Sequence, residues 1–326
     1  MRREKIVLLA ALAAGWLINS AGTVVNAQDN YPVRAIRLIT PAGPGGTTDM
    51  LARMFGARLS KTFRQPVVID NRASSSGVIA AELTAAAAPD GYTLLLPFHQ
   101  HTVNAVLNPS LPYHAVNSFT PVTQLTAAGL QLVINPVTPA KNLQEFIDWT
   151  RSFKGALNFG SGGIGTGGHL AGELYNLMGK VKAQHIPYKG GAAVLLALVA
   201  GEYHYNFAGM QPAQPLVRSG KLRALAVTTP QRIKSLPDLP AMAEVLPGFE
   251  VVGWYGVFAP EKLPAPILSR LHQELVRILH EPEVRERIVA DGSEPVGNAP
   301  EVFRQYLLAD LAKWQRVVKE SGAKLD

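Results

Sequence analysis

The stretch AIRLITPAGPGGTTDMLARMFGARL, residues 35–59, passes from a predicted strand through a glycine-rich loop into a predicted helix. Residues 35–40 form a short apolar run that is typical of a strand. Residues 41–46 contain the prolines and glycines of a loop. The apolar side chains of Leu51, Phe55 and Leu59 then recur at helical spacing. A strand at 66–69, an alanine-rich helix at 78–88 and a strand at 93–96 follow. This alternation predicts an α/β unit with a mostly parallel sheet flanked by helices.

The same alternation starts again in the middle of the chain. We predict helices at 143–153, 169–178 and 192–199, and strands at 156–159, 183–186, 203–207 and 222–228. The last third is mostly helical, at 264–279, 282–291 and 300–320. Two linking segments, around 124–136 and 250–260, each contain an apolar run. The sequence therefore predicts a second α/β unit, and C-terminal helices that have no sheet of their own.

The composition is that of a globular protein. With 326 residues the chain is long for a single core, and 47% of its residues are hydrophobic and 17% charged. The net charge of +7 is spread along the chain rather than clustered, which disfavours a nucleic-acid partner. There is no cysteine, so neither disulfides nor cysteine-based catalysis can occur.

The N-terminus has the features of a secretory signal peptide. Arg2, Arg3 and Lys5 precede an apolar run over residues 6–18, and residues 25–27 form a small-residue cleavage site. The run is short for a membrane helix. We predict cleavage after Ala27 and a soluble mature protein in the periplasm, with an uncleaved anchor as the alternative.

A second glycine-rich loop, FGSGGIGTGGH at residues 159–169, also joins a strand to a helix. It fits the dinucleotide pattern G-x-G-x-x-G, but residues 184–188 lack the acid that would bind a ribose. Glycines still allow a ligand close to the backbone, and the helix N-terminus favours an anion such as a carboxylate. Two such loops, one in each unit, predict a pair of facing anion-binding loops in a cleft, although a merely flexible connection would also explain the glycines.

Eleven short stretches resemble, in their order and spacing, the solute receptors of tripartite tricarboxylate transporters, the Bug receptors. They are YPVR at 31–34, PGGTTD at 44–49, QPVVIDNR at 65–72, PDGYTL at 89–94, LPY at 111–113, FTPV at 119–122, GSGGIGTGGHL at 160–170, IPYKGG at 186–191, GKLRALAVT at 220–228, LPDLP at 236–240 and WYGVFAP at 254–260. The stretches run through nearly the whole chain after the signal peptide.

The resemblance implies a two-domain periplasmic-binding-protein fold, the Venus flytrap, whose chain crosses between the domains twice. We then expect domain I at 28–128 plus 252–326 and domain II at 129–251. The implied function is capture of a small organic carboxylate in the interdomain cleft, for uptake through membrane permease subunits or for a sensor protein. The protein would be a monomer that is not an enzyme and needs no cofactor or metal.

The chain departs from the family pattern at four places, which bear on the identity of the ligand. Residues 73–77 read Ala-Ser-Ser-Ser-Gly instead of a proline- and glycine-rich loop, and His114, Ala208 and Ala241 replace the usual Asp, Asp and Thr. An amino-acid ligand would need an acid for its ammonium group. The missing acid at 208 favours a ligand that is not an amino acid, with Asp49 as the remaining candidate.

The predicted ligand-binding residues lie in the two loops and just after the third strand. They are Gly45, Gly46, Thr47, Thr48, Asp49, His99, His101, Ser161, Gly162, Gly165, Thr166 and His169. Alternatives stay open for several of them.

His99 and His101 could donate to a ligand, join a zinc site or be exposed loop residues. His169 could contact the ligand or only its own loop, and Ser161 and Thr166 could equally cap the helix. Trp254 could line the cleft, although core packing is the more common role of a tryptophan.

A secreted hydrolase is the alternative from another class. Ser161, His169 and Asp49 could be combined into a triad, but the spacing G-x-S-x-G of a nucleophile elbow is absent. Saturable binding without turnover would distinguish a receptor from such an enzyme.

Overall fold

The computed structural model describes residues 30–44, 47–73, 77–188, 190–233, 236–290 and 292–321. The strands are β1 (Ile36–Thr40), β2 (Val67–Asn71), β3 (Thr93–Leu95), β4 (Phe119–Ile134), β5 (Leu157–Ser161), β6 (Ala183–Pro187), β7 (Tyr205–Gly209), β8 (Arg223–Val227), β9 (Val252–Pro260) and β10 (Glu294–Pro295). The helices are α1 (Thr47–Phe63), α2 (Val78–Ala85), α3 (Gln100–Leu107), α4 (Leu143–Ser152), α5 (Gly167–Gly179), α6 (Gly191–Ala200), α7 (Met210–Arg218), α8 (Ala265–Leu279), α9 (Pro282–Ala290) and α10 (Pro300–Ser321).

Local sequence explains why the helices begin where they do. Helix α1 buries Leu51, Phe55 and Leu59 on one face, at the spacing that the sequence predicts. Helix α4 begins after Asn142, whose side-chain oxygen accepts a hydrogen bond from the amide of Glu145. Thr166 has the same role before α5. Each cap satisfies a backbone donor that would otherwise have no partner.

The ten strands of the described residues share one hydrogen-bonded sheet, in the order β2-β1-β3-β9-β4-β7-β5-β6, with β10 and β8 also paired to β4. Strand β4 joins its two parts. Residues 119–129 of β4 pair with β9, while residues 130–134 pair with β7 and β8. The pairing partners therefore change near Gly129, where the second of the two predicted units begins.

The strand directions make the two parts of the sheet face each other. Strands β1 and β3 run parallel to each other, β3 runs antiparallel to β9, and β9 runs antiparallel to β4. Hence β1 and β3 point along β4, whereas β7 and its parallel neighbour β5 point the opposite way. The carboxyl ends of β1 and β3 are consequently directed at those of β5 and β7, across the middle of β4.

Helix α10 contributes to the cores of both parts. Phe303 and Leu307 lie in a buried cluster with Trp254 of β9, whereas Trp314 and Val317 lie in a cluster with residues of β5 and β7. The division at 128/129 and 251/252 stays a prediction. The sheet is continuous through β4, and the last helix packs against both parts.

Some elements differ from the sequence-based predictions. The predicted linking segment 124–136 belongs mostly to the 16-residue strand β4, and the helices α3 and α7 were not expected. Pro212 and Pro215 within α7 obscure its helical pattern. None of the helices in the described ranges is long and apolar enough to cross a membrane. The predicted signal peptide and its cleavage site lie outside those ranges.

Candidate ligand-binding site

The second glycine loop, residues 162–166, follows β5 and leads directly into α5. Gly163 and Gly165 have φ angles of +133° and +76°, a region that favours glycine. A Cβ atom at Gly162 would lie 3.3 Å from the carbonyl carbon of Gly190. Two of these glycines are therefore required by backbone conformation and the third by the close approach of the next loop.

Ser161 uses its hydroxyl group within this loop. The Oγ atom accepts a hydrogen bond from the amide of Gly163 at 3.1 Å, and it lies 2.9 Å from the carbonyl oxygen of the same residue. It also lies 2.7 Å from Nε2 of His185. Ser161 is almost completely buried, so the structure gives it a role in shaping the loop.

His169 and Thr166 hold the other end of the loop. Nδ1 of His169 accepts a hydrogen bond from the amide of Gly165 at 3.1 Å, so its proton resides on Nε2, 3.7 Å from a carboxylate oxygen of Glu173. Burial lowers the pKa of His169 to about 4, which keeps the ring neutral. The hydroxyl of Thr166 donates to the carbonyl oxygen of Gly163 at 2.7 Å.

The start of α5 retains unpaired backbone donors. Within the part of the chain that the structure describes, the amides of Gly167 and Gly168 meet no hydrogen-bond acceptor. They lie at the positive end of the helix dipole. These two amides can therefore receive an anionic oxygen without the help of a Lys or Arg side chain.

The first glycine loop leads from β1 into α1, and Gly45 and Gly46 lie outside the described residues. Thr47 is half-buried at the start of α1, and Thr48 and Asp49 are buried. The two carboxylate oxygens of Asp49 accept hydrogen bonds from Asn71 at 3.0 Å and from Arg53 at 2.9 Å. Asn71 was not among the predicted site residues, and its amide group also donates to the carbonyl oxygen of Ala42 in the same loop.

His99 and His101 lie at the start of α3 rather than in a loop. His101 is 7% exposed, its Nε2 lies 2.8 Å from the carbonyl oxygen of Ala115, and its ring packs against Tyr113, Phe119 and Phe258. Burial lowers the pKa of His101 to about 4. These contacts account for its position without any ligand.

The half-buried His99 has a different environment, at the boundary between the two parts of the sheet. A Cβ atom at Gly167 would lie 3.8 Å from its Nε2, and one at Gly253 would lie 3.5 Å from its Nδ1. Burial lowers the pKa of His99, and the charge of Asp310 opposes this effect. The ring of His99 thus lies beside the start of α5, close to the unpaired amides.

The structure brings α3 and the second glycine loop close together. A Cβ atom at Gly165 would lie 3.8 Å from Leu107 and 3.9 Å from the side-chain amide of Gln100. His99, Gly165 and Thr166 therefore share one region, whereas His101 points into an aromatic cluster. Within the described ranges no group of three His, Cys, Asp or Glu side chains could hold a metal ion.

The cavities differ in their relation to the loops. One of about 10 Å³, lined by Pro41, Gly77, Phe98 and Gln100 among others, lies at the ends of β1 and β3 and has room for about one water molecule. Two larger grooves, of about 440 and 670 Å³, are lined by residues outside both glycine loops.

Comparison with known proteins gives consistent results. The model of the family described as "Tripartite tricarboxylate transporter family receptor" matches residues 51–323. Protein BugT of Bordetella pertussis is 35% identical over 322 residues, 98% of each chain. A solved R. palustris protein with adipate is 34% identical, with a TM-score of 0.74, over 90% of this chain and 100% of that one. MatC of Rhodopseudomonas palustris, solved with bound malate, is also 34% identical, with a TM-score of 0.70, over 88% and 100%.

Proposed function

The chain belongs to the tripartite tricarboxylate transporter receptor family, and on that premise we propose that it captures a small organic carboxylate between the two parts of its sheet. The loaded receptor would deliver this ligand to membrane permease subunits. The solved relatives with adipate and malate support a dicarboxylate as the ligand class.

This proposal rests on the unpaired backbone amides at the start of α5. The amides of Gly167 and Gly168 lack acceptors among the described residues, lie at a helix N-terminus and follow a loop, residues 162–166, in which three of the five residues are glycine. Such a site favours a carboxylate oxygen. The second carboxylate of the ligand would lie toward the first glycine loop, at Gly45, Gly46, Thr47 and Thr48.

The roles of the predicted site residues follow from their contacts. We assign direct contact to the α5 amides, to the backbone amide of Gly162 and to His99, whose ring lies next to Gly167. Gly165 shapes the loop instead, because its amide donates to His169. Ser161, Thr166 and His169 shape the loop, because their polar side-chain atoms are engaged within it. His101 has a packing role.

The ligand would lack an ammonium group. Ala208 replaces the acid usual in the family, and both carboxylate oxygens of Asp49 accept hydrogen bonds from Asn71 and Arg53. Asp49 therefore serves to hold α1 against the end of β2. A dicarboxylate without an amino group, such as malate, fits this arrangement better than aspartate.

The remaining features of the proposal concern the cell. We propose that the chain is exported to the periplasm, cleaved after Ala27 and active there as a monomer without catalysis. Presentation of the loaded receptor to a sensor protein would use the same cleft. N-terminal sequencing of the exported protein should find Gln28 first, whereas a retained apolar segment would contradict the cleavage site.

A thermal-shift screen of organic acids on the purified protein tests the ligand class. Malate, adipate, aspartate and nicotinate form a minimal panel. A ligand at one hundred times its Kd should stabilise the fold by about 2.7 kcal/mol. Calorimetry should then show saturable binding of one carboxylate per chain. Absence of binding across a broad panel of acids, or turnover of an ester substrate, would contradict the receptor function.

A further inference from the structure

His185 lies under the second glycine loop and was not among the residues that the sequence singled out. It pairs with Phe159 across the β5–β6 ladder, so it projects on the same face of the sheet as Ser161, two residues further along β5. Its ring stacks on those of Phe159 and His169. The centroid of the His185 ring lies 5.0 Å from that of Phe159 and 4.1 Å from that of His169.

The protons of this cluster can be assigned from its hydrogen bonds. The hydroxyl of Ser161 has one proton and three neighbours: the amide and the carbonyl oxygen of Gly163, and Nε2 of His185. All three contacts are satisfied only if Nε2 of His185 donates to Oγ and Oγ donates to the carbonyl oxygen. We therefore place the proton of His185 on Nε2.

The second imidazole must be neutral as well. Nδ1 of His169 accepts from the amide of Gly165 and so carries no proton. Positive charges on both rings, whose centroids lie 4.1 Å apart, would repel each other. Protonation of Nδ1 of His169 would also remove the acceptor of the Gly165 amide. Burial together with the neighbouring His169 lowers the pKa of His185 to about 4, in agreement with two neutral rings.

We propose that His185 is a positioning residue of the ligand site. Through Ser161 it fixes both polar groups of the Gly163 backbone, and through its stacking it fixes the ring of His169, which holds the amide of Gly165. Residues 162–166 are thereby kept in the conformation that exposes the α5 amides. This inference rests on the proposed function at one point, namely that the exposed α5 amides bind the ligand.

A matched control residue contacts the same strand, β5. His204 is also half-buried, its Nδ1 accepts a hydrogen bond from the amide of Asn158 in β5 at 3.0 Å, and it packs against Trp149 and Phe153. It lies at the opposite end of β5 from the glycine loop. Replacing either histidine by alanine thus removes a similar ring and a bond to the same strand, but only one of them adjoins the loop.

The test begins without ligand. Nitrogen NMR of the imidazole rings should show His185 protonated on Nε2 and unprotonated on Nδ1. Amide hydrogen exchange of Gly163 and Gly165 should be at least tenfold faster in His185→Ala than in His204→Ala. His185→Gln should restore much of the protection, because the glutamine amide can donate to Ser161 from nearly the position of Nε2.

The second arm measures binding of malate and adipate by calorimetry. His185→Ala should weaken the tighter of the two at least tenfold, His204→Ala less than threefold, and His185→Gln should recover most of the loss. If His185→Ala does not fold, the protonation of the His185 ring and the behaviour of His185→Gln still decide whether His185 positions the loop. The positioning role would be overturned by equal exchange rates in the two alanine variants. It would equally be overturned by a lack of rescue in His185→Gln, or by a proton on Nδ1 of His185. Failure of the wild type to bind any acid would instead overturn the proposed function, while the exchange result stands by itself.

Discussion

Single residues of the second glycine loop divide into those that shape it and those that leave it open to a ligand. Ser161, Thr166 and His169 bond within the loop, whereas Gly167 and Gly168 offer backbone amides at the start of α5. An unpaired buried donor is costly. The loop therefore pairs its polar side chains internally, and the two amides at the start of α5 are the donors that we propose for a carboxylate.

Gly162→Val should weaken malate or adipate binding at least tenfold. A Cβ atom there already lies 3.3 Å from backbone atoms of Gly190, and the valine methyl groups need still more space, so the two loops must separate. Isothermal calorimetry on folded protein measures the effect. Gly191→Ala is the control, since nothing lies within 4 Å of a Cβ atom at that position. Wild-type affinity in Gly162→Val would mean that the loop does not touch the ligand.

Asp49→Asn should lower the stability of the protein but leave its ligand preference unchanged. An amide has one acceptor oxygen instead of two, so either Arg53, whose side chain is mostly exposed, or Asn71, which also donates to Ala42, loses one hydrogen bond, at a cost of about 0.5–1.5 kcal/mol. Denaturant unfolding measures the cost, and competition between malate and aspartate measures the preference. Tight aspartate binding that disappears in the variant would place Asp49 on the ammonium group of the ligand.

Among the helices and strands, those with a regular pattern of apolar residues could be predicted from the sequence. The glycine loops and the helices after them follow from residues that are adjacent in the chain. The role of His185 could not be predicted, because it depends on the register that sets His185 beside Phe159, a contact between distant segments. The segment 124–136 has the apolar run of a linker, and only its pairing with four other strands shows its extent.

The histidines on α3, α5 and β6 predict a dependence of stability on pH. The folded-state pKa values of His101, His169 and His185 are about 4, below the ordinary value of about 6.5. The unfolded chain therefore binds protons first as the pH falls. Stability should be complete above pH 6.5 and decline toward pH 4, by about 1–3 kcal/mol for each ring.

Urea unfolding at a series of pH values checks this slope. His101→Gln removes one of the three rings and should give a flatter curve between pH 6.5 and 4, with lower stability at neutral pH. If the stability of His101→Gln fell as steeply with pH as that of the wild type, the ring of His101 would not contribute to the pH dependence.

At the scale of the whole molecule, α10 connects the two cores. Trp314 is 3% exposed and lies in the same buried cluster as residues of β5 and β7, although it belongs to the C-terminal helix. Trp314→Ala should therefore cost about 3–5 kcal/mol. Hydrogen exchange should become faster in β5 and β7. Val302→Ala, at an exposed position of the same helix, should change stability by less than about 0.5 kcal/mol. Unchanged exchange in β5 and β7 would show that α10 does not stabilise that core.

The position of α10 also makes both cores depend on a single helix. Because residues 300–321 supply side chains to both cores, neither core is complete without this helix. A chain that ends at residue 299 should therefore be digested by protease in both halves, whereas a resistant first half would show that this half does not need α10.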